Sequence, residues 1–296
     1  MEPLISCCII TFNHAAYIKQ AIESVLSQKH HYSFEIIIAD DCSTDGTTKI
    51  LREYEQQYPA IIKLIVQPVN KGASKNFIDL LCAANGKYIA YLEGDDYWSD
   101  GLKLQKQIEF LELHTDYSIC FSNVLEAFSE DLKDPRNVFH GGSGIKTTTT
   151  IDDLLYENYI QTASVVFRNK LFHYFPAWYT ALMPGDWPLH ILNAQFGKIF
   201  YFDECMCVHR NHSDGVWSSQ KAIKRIENTL NVCDVIGKEL NLSANKNLQA
   251  GKSKLLLSSA KYLLKEQQYL SAFKNIFRAI YYSPKEFFST NKILLK

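Results

Sequence analysis

The sequence predicts an α/β fold: a mainly parallel central sheet flanked by helices, followed by a helical C-terminal appendage. Three observations predict it. Apolar runs of strand length alternate with helical periodicity through the first hundred residues. Polar clusters close three of those runs. Beyond Trp217 only helical periodicity remains.

The elements follow in order. Leu4–Thr11 is an apolar run of strand length. Tyr17–Gln28 places Ile18, Ala21, Ile22 and Val25 at helical spacing. Glu35–Asp40 is strand-like and ends in Asp40-Asp41. Thr48–Tyr58 reads as a helix, and Ile61–Val66 as a strand stopped by Pro68. Ser74–Ala84 is helical, with Gly86 as its stop. Tyr88–Leu92 is a fourth strand, followed at once by Glu93-Gly94-Asp95-Asp96. Strands alternating with helices imply crossover connections and parallel pairing, and such sheets bind ligands beyond the carboxyl ends of their strands.

The pattern then loosens. Leu102–His114 reads as a helix and Tyr117–Leu125 as a strand. Glu130–Thr150 is polar and is expected to be an exposed loop. Thr162–Phe167 reads as a strand and Asp186–Gln195 as a short helix. Ile199–Phe202 and Met206–Arg210 read as two strands. Ala222–Leu240, Ala244–Glu266 and Tyr269–Tyr281 read as helices. Gly251-Lys252-Ser253 is rejected as a phosphate loop, because Lys246 stands where that motif needs glycine and no strand precedes it.

Bulk numbers bound the function. A chain of 296 residues with 47% hydrophobic content fits one large domain and an appendage, and a formal net charge of -1 argues against a dedicated nucleic-acid binder. Eight cysteines lie without disulfide spacing, several of them in apolar runs, which predicts a reducing cytoplasm. The start MEPLISCCIITFNH lacks the basic and apolar regions of a signal peptide, and no apolar stretch approaches the roughly 20 residues that span a bilayer.

The polar clusters carry chemistry. A carboxylate at a strand end accepts from a base N–H or a ribose hydroxyl, which suits Asp40 and Asp41; Ser43, Thr44 and Asp45 equally suit a well-capped strand-to-helix turn. Adjacent carboxylates repel each other unless a cation holds them, so Glu93, Asp95 and Asp96 point to Mg²⁺ or Mn²⁺ on a diphosphate. Cys205, Cys207, His209 and His212 raise a zinc reading, which the splayed Cys-x-Cys spacing disfavours.

Together these segments resemble a family 2 glycosyltransferase with the GT-A fold. The resemblance rests on Thr11-Phe12-Asn13-His14, Asp40 through Thr47, Asn70-Lys71-Gly72 with Lys75-Asn76, Gly86-Lys87-Tyr88-Ile89 and Glu93 through Trp98. Gly185-Asp186-Trp187 and Arg210-Asn211-His212 complete it, in order, over residues 4 to 218. It implies an inverting enzyme using a nucleotide-diphosphate sugar, with UDP-sugar the first expectation. Thr11, Asn13, Asp40, Asp41 and Lys75 would contact the nucleotide, with Glu93, Asp95, Arg210 and Trp217 also on the donor. Asp96 and His212 would hold Mn²⁺ or Mg²⁺, and Asp186 would be the catalytic base. Glu93 stands where many members carry aspartate.

The implied organisation is a nucleotide-sugar half at 1–100, an acceptor half at 101–218 and a helical appendage at 219–296. Asp214-Gly215-Val216-Trp217 is expected to fold over the donor. The acceptor would be a saccharide or glycolipid of bacterial surface-polysaccharide synthesis. Tyr174, Trp178 and Tyr179 are candidate sugar-stacking platforms, against ordinary core packing. No Gln-x-x-Arg-Trp element of the processive members occurs, which favours single addition.

In the tail, Lys261, Lys265, Lys274, Arg278, Lys285, Lys292 and Lys296 interleave with Phe273, Ile276, Phe277, Ile280, Tyr281, Phe287 and Phe288. Such helices meet an anionic membrane surface, or pack on the catalytic domain or on a second copy in a homodimer. Two other classes stay in view. A sugar nucleotidyltransferase would carry a glycine-rich loop after the first strand, where Thr11-Phe12-Asn13-His14 has none. A non-catalytic nucleotide-sugar-binding protein would not need Asp186 beside the Asp95-Asp96 pair.

Overall fold

The computed structural model describes residues 2–128, 136–140 (by their backbone), 145–183, 185–212, 215, 217 and 219–290. In chain order the first elements are β1 (Ile5–Thr11), α1 (Ile18–Leu26), β2 (Phe34–Asp40), α2 (Thr47–Gln57), β3 (Ile62–Val66), α3 (Ala73–Cys82), β4 (Tyr88–Glu93), β5 (Tyr97–Trp98) and α4 (Lys103–Leu113). Then come β6 (Tyr117–Phe128), β7 (Arg136–His140), β8 (Thr148–Thr149), α5 (Ile151–Tyr156), β9 (Val166–Arg168), α6 (Asp186–Ala194) and β10 (Lys198–Asn211). Helices α7 (Ala222–Glu239), α8 (Lys246–Lys265), α9 (Tyr269–Tyr282) and α10 (Pro284–Thr290) follow.

The chain divides into two compact units. The first comprises Met1–Thr150, Tyr159–Thr180 and Leu192–Ser213; the second comprises Ile151–Asn158, Ala181–Ile191 and Asp214–Lys296. Three stretches from within 101–218, namely Ile151–Asn158, Ala181–Ile191 and the residues from Asp214 on, therefore group with the C-terminal helices.

The first unit holds a ten-stranded sheet in the order β3-β2-β1-β4-β9-β6-β10-β5, with β7 on β6 and β8 on β10. Strands β1, β2 and β4 are apolar almost throughout because both faces of the sheet are covered. Their parallel register matters most for function. Thr11 lies opposite Asp40, and Ile10 opposite Glu93, so three carboxyl ends finish on one edge. On α1, Ile18, Ala21, Ile22 and Val25 are all buried, and α2 buries Leu51 and Tyr54. Burial of this apolar surface drives the fold.

Glu35 is a polar residue inside this layer, 4% exposed. It accepts from Ser6 Oγ at 2.7 Å, Asn85 N at 2.9 Å and Lys63 Nζ at 2.6 Å. Burial alone would raise its pKa, but the bonds from Lys63, Asn85 and Ser6 outweigh it and hold the value below the ordinary one of 4.5. A depressed carboxylate pKa contributes stability that is present above the unfolded value and is lost as pH falls through the folded one. Glu35→Gln is therefore expected to lose about 2 kcal/mol at neutral pH, and to flatten the fall of Tm below about pH 4.5. Thermal melts of both proteins from neutral to acid pH check this.

Several expectations need correction. Thr162–Phe167 is not one strand: Thr162–Ser164 forms a 3₁₀ turn, and β9 begins at Val166. Strand β9 runs antiparallel to both β4 and β6. The two strands expected at 199–210 are one, β10, with register shifts at Phe202/Cys205 and Cys205/Cys207. The expected loop 130–150 contains β7 and β8; residues 130–135 and 141–144 of it lie outside the described residues. Helices α5 and α10 were not anticipated.

In the second unit, Asn245 caps α8 by accepting from Asn247 N at 2.9 Å and Leu248 N at 3.2 Å. Leu256 and Leu257 of α8 pack with Ala279 of α9, and Ala260 and Leu263 with Ala272. A Cβ on Gly251 would stand 2.3 Å from the Tyr156 carbonyl oxygen, so glycine sets how closely α8 approaches the end of α5. Gly251-Lys252-Ser253 lies inside α8, in keeping with its rejection as a phosphate loop.

Candidate active site

The loop after β1 and the turn after β2 are latched by reciprocal bonds. Asn13 N donates to Ser43 Oγ at 2.8 Å, and Thr44 N to Asn13 Oδ1 at 2.8 Å. His14 N donates to Thr47 Oγ1 at 2.9 Å, and Ala15 N to Asp45 Oδ2 at 2.8 Å. Asn13 and Cys42 take positive φ values of 55° and 65°, and Gly46 takes 103°. The motif from Asp40 to Thr47 is thus a folded turn before it is anything else.

Asp40 is fully buried. Its Oδ1 accepts from Ser43 N at 3.1 Å and Ser43 Oγ at 2.5 Å, and its Oδ2 from Thr48 Oγ1 at 2.5 Å. Asp41 accepts from Lys71 N at 2.7 Å and Gly72 N at 2.9 Å, one on each oxygen. Both acids organise loops at the sheet edge, Asp40 holding the turn after β2 and Asp41 the 70–72 loop. Lys75 stands exposed in the first turn of α3. With Lys71, Ile78, Asp79 and Thr180 it lines a pocket of about 340 Å³ that contains none of the acids at the β4 end.

Strand β5 pairs antiparallel with β10, Cys207 opposite Trp98 and Val208 opposite Tyr97. This register carries Asp95-Asp96 to the residues that end β10. Asp96, 1% exposed, accepts from Arg210 N at 2.8 Å on Oδ1 and faces His209 Nδ1 at 3.1 Å on Oδ2. Asp95 Oδ2 lies 3.0 Å from His212 Nε2 and 3.7 Å from His14 Nε2. His212, expected with Asp96 at the metal, lies directly against Asp95, and His209 is the imidazole that faces Asp96.

Burial and charge set the protonation of these groups. Burial would lift Asp95, but the His212 hydrogen bond and the nearby His14 hold it below the usual value. Burial would depress His209, yet Asp96, by charge and by hydrogen bond, and Glu93 bring it to about 10. Burial likewise lifts Asp96 above the usual carboxylate value, against the pull of His209 and the Arg210 N–H, so the two groups hold their proton as a pair. Arg210 is buried; its guanidinium donates to the Asp95 carbonyl and to Gln20 Oε1 at 2.5 Å. It sits over the rings of Tyr97 at 4.6 Å and Tyr17 at 5.3 Å. Its donors shape the acidic turn.

Glu93, Asp96 and His209 offer ligand atoms all within 4.8 Å of one another, the only such three-residue group among the described residues. Two carboxylates and an imidazole suit Mn²⁺ or Mg²⁺. The zinc reading fails on the thiols. Cys207 is buried with its Sγ 3.1 Å from the Ala163 carbonyl oxygen and its pKa pushed up to about 12 by burial, and Cys205 is raised for the same reason.

Close packing holds the edge together. A Cβ on Gly94 would stand 2.8 Å from Thr11 Oγ1 and 3.0 Å from His14 Nδ1. Thr11 itself is buried, and its Oγ1 has no hydrogen-bond partner among the described residues. Gly94→Ala must separate the β1 and β4 ends, and overpacking of this kind costs about 1–3 kcal/mol. The expected result is a lower Tm and at least roughly tenfold weaker donor binding, read by thermal shift and calorimetry.

Asp186 and Trp217 belong to the second unit. Asp186 opens α6, and its Oδ2 accepts from Asn158 Nδ2 at 2.9 Å. His190, one turn on, is buried; burial depresses its pKa to about 4 against the attraction of Asp186. Trp217 is half-buried, while Asp214 and Val216 of the expected lid lie outside the described residues. Among the proposed stacking platforms, Tyr179 is fully buried against Phe77 and Phe175 and is core, whereas Tyr174 is exposed. Sequence reasoning passed over His14, Tyr17 and Gln20 as site residues; the first lay in a matched motif, and the others carried no signal beyond their helix.

The mixed sheet, its flanking helices and its acidic edge are those of a GT-A glycosyltransferase fold. The chain belongs to glycosyl transferase family 2, whose model matches residues 6–174. An uncharacterised protein of Mycobacterium tuberculosis is 38% identical over 217 residues, 73% of this chain and 61% of that protein. The chain thus matches about three fifths of that relative's length. A putative teichuronic acid biosynthesis glycosyltransferase of Bacillus subtilis is 41% identical over 110 residues, covering 37% of this chain and 42% of that protein. Among solved structures, Staphylococcus aureus TarS with UDP-GlcNAc matches with a TM-score of 0.64 at 18% identity, over 95% of this chain and 82% of that chain. The mannosyltransferase PcManGT of Pyrobaculum calidifontis, with GDP-Man and Mn²⁺, matches with a TM-score of 0.63 at 15% identity, over 100% and 81%. At such identities these two matches show the fold alone.

Proposed function

We propose that this family 2 glycosyltransferase transfers one sugar, with inversion, from a UDP-sugar to a hydroxyl of a saccharide or glycolipid acceptor. The setting we propose is bacterial surface-polysaccharide synthesis in the cytoplasm. One observation carries the reading: the level ends of β1, β2 and β4 gather Thr11, Asp41 and the Glu93–Asp96 turn on one edge, beside His209 and His212. The teichuronic acid relative supports the setting, and the UDP-GlcNAc complex of TarS supports the donor.

Glu93, Asp96 and His209 would hold a divalent cation, with Asp95 and His212 adjoining. When bound, Mn²⁺ or Mg²⁺ supplies positive charge against the departing diphosphate. The protein's own groups do the rest. Arg210 and His14 fix the acidic turn, Thr11 Oγ1 is an unused donor at the β1 end, and Asp41 positions the 70–72 loop. Asp186 is proposed to take the acceptor proton late in the displacement. Residues 1–100 are proposed as the donor half, and 101–218 as the acceptor half.

The test is incubation of the full chain with UDP-, GDP- and dTDP-sugars and Mn²⁺. Release of nucleoside diphosphate with sugar transfer or hydrolysis is expected, from UDP-sugars first. Release of pyrophosphate in a parallel incubation with a nucleoside triphosphate and a sugar 1-phosphate would identify a nucleotidyltransferase instead, and no turnover in either mixture would leave a binding protein.

A further inference from the structure

Helix α9 has two apolar faces and uses one. Ala272, Ile276 and Ala279 pack on Leu256, Leu257, Ala260 and Leu263 of α8. On the opposite side Leu270, Phe273, Phe277 and Tyr281 stand 87%, 54%, 70% and 83% exposed. Their spacing of three, four and four residues makes one stripe along the helix. Tyr269 and Phe288 of α10 are exposed as well, so six of the thirteen exposed large hydrophobic side chains among the described residues fall between 269 and 288. Single exposed apolar residues are ordinary on a protein surface, but a continuous stripe is not.

Charge says what covers it. Lys274, Arg278 and Lys285 are exposed in the same stretch, and the only acid between 269 and 290 is Glu286. Glu286 is engaged by the Tyr156 hydroxyl at 2.8 Å. A two-fold pairing of two copies through this face would bring the same three cations together from both sides, with little to answer them. An apolar stripe rich in aromatics, rimmed by cations and poor in acids, is complementary to an anionic lipid surface. No described helix is long and apolar enough to cross a membrane, so the helix would lie in the interface plane.

We propose that the outward face of α9, continued by Phe288 of α10, docks the protein on an anionic lipid bilayer. Leu270, Phe273, Phe277 and Tyr281 enter the boundary between headgroups and acyl chains, and Lys274, Arg278 and Lys285 meet the lipid phosphates. The proposal goes beyond the transferase reading and does not depend on it, because docking involves no catalytic step.

The test is flotation of the full chain with phosphatidylcholine vesicles, with and without phosphatidylglycerol. The protein is expected to float with the anionic vesicles, to float poorly with the neutral ones, and to be released by high salt. L270E/F277E should lose flotation, and K274E/R278E should weaken it by roughly tenfold or more. Both variants are expected to keep the wild-type melting temperature and nucleotide binding, because the replaced side chains touch solvent. Absence of flotation, or flotation indifferent to L270E/F277E, overturns the proposal. A dimer in mass photometry that L270E/F277E dissociates, without vesicle binding, overturns it in favour of a contact between copies.

Discussion

Asp96→Asn is expected to reduce sugar transfer by at least about a thousandfold, or about 4 kcal/mol of transition-state stabilisation. The substitution keeps the shape of the side chain and leaves an oxygen for the Arg210 N–H that now lies 2.8 Å from Oδ1. What it removes is charge. Asp96 is almost fully buried, and it pairs with His209 inside the group that also contains Glu93. A neutral amide does not ligate a hard divalent ion as a carboxylate does. Circular dichroism and Tm report whether the turn still folds; steady-state kinetics with Mn²⁺ report the loss. Activity within about tenfold of wild type would remove Asp96 from the metal site.

Asp186→Asn is expected to lower kcat by about 10²–10⁴ while leaving donor affinity unchanged, the signature of a lost general base. Asn keeps an oxygen for the Asn158 amide that donates to Oδ2, so the start of α6 is retained. His190 does not substitute as the proton acceptor at α6, because it is enclosed and carries no exposed nitrogen to an incoming hydroxyl. Measuring UDP affinity by calorimetry beside kcat separates this outcome from a general loss of structure. A fall in donor affinity with kcat preserved would reassign Asp186 to binding.

The parts of the fold legible in the sequence are those where one local pattern dominates. Strands β1, β2 and β4 are buried on both faces and read as apolar runs broken only by Ser6 and Glu35 before their polar ends. Helices α1, α2, α3, α8 and α9 bury a single stripe over two or more turns. What was missed is short or set by partners far away. Strand β5 is two residues long and exists because β10 pairs with it. Helices α5 and α10 span six and seven residues, too few for periodicity to show. Strand β10 reads as two because the bulges between Phe202 and Cys207 interrupt its alternation.

The site divides the same way. The acids at strand ends were visible because polar residues that close an apolar strand stand out. Which histidine meets which acid was not, since the β5–β10 register decides it, giving Asp96 to His209 and Asp95 to His212. The double use of Asp40 was legible only as an alternative. Its bonds to Ser43 and Thr48 make it the organiser of the turn that carries Asp41.

Calorimetric titration of the full chain with UDP, with and without Mn²⁺, for wild type and Asp96→Asn, tests most directly whether the strand-end acids hold a cation on a diphosphate. Wild type should bind UDP at least about tenfold more tightly with Mn²⁺, and the variant should show no such gain. Equal UDP affinity with and without the metal in wild type, or an undiminished gain in Asp96→Asn, would contradict it.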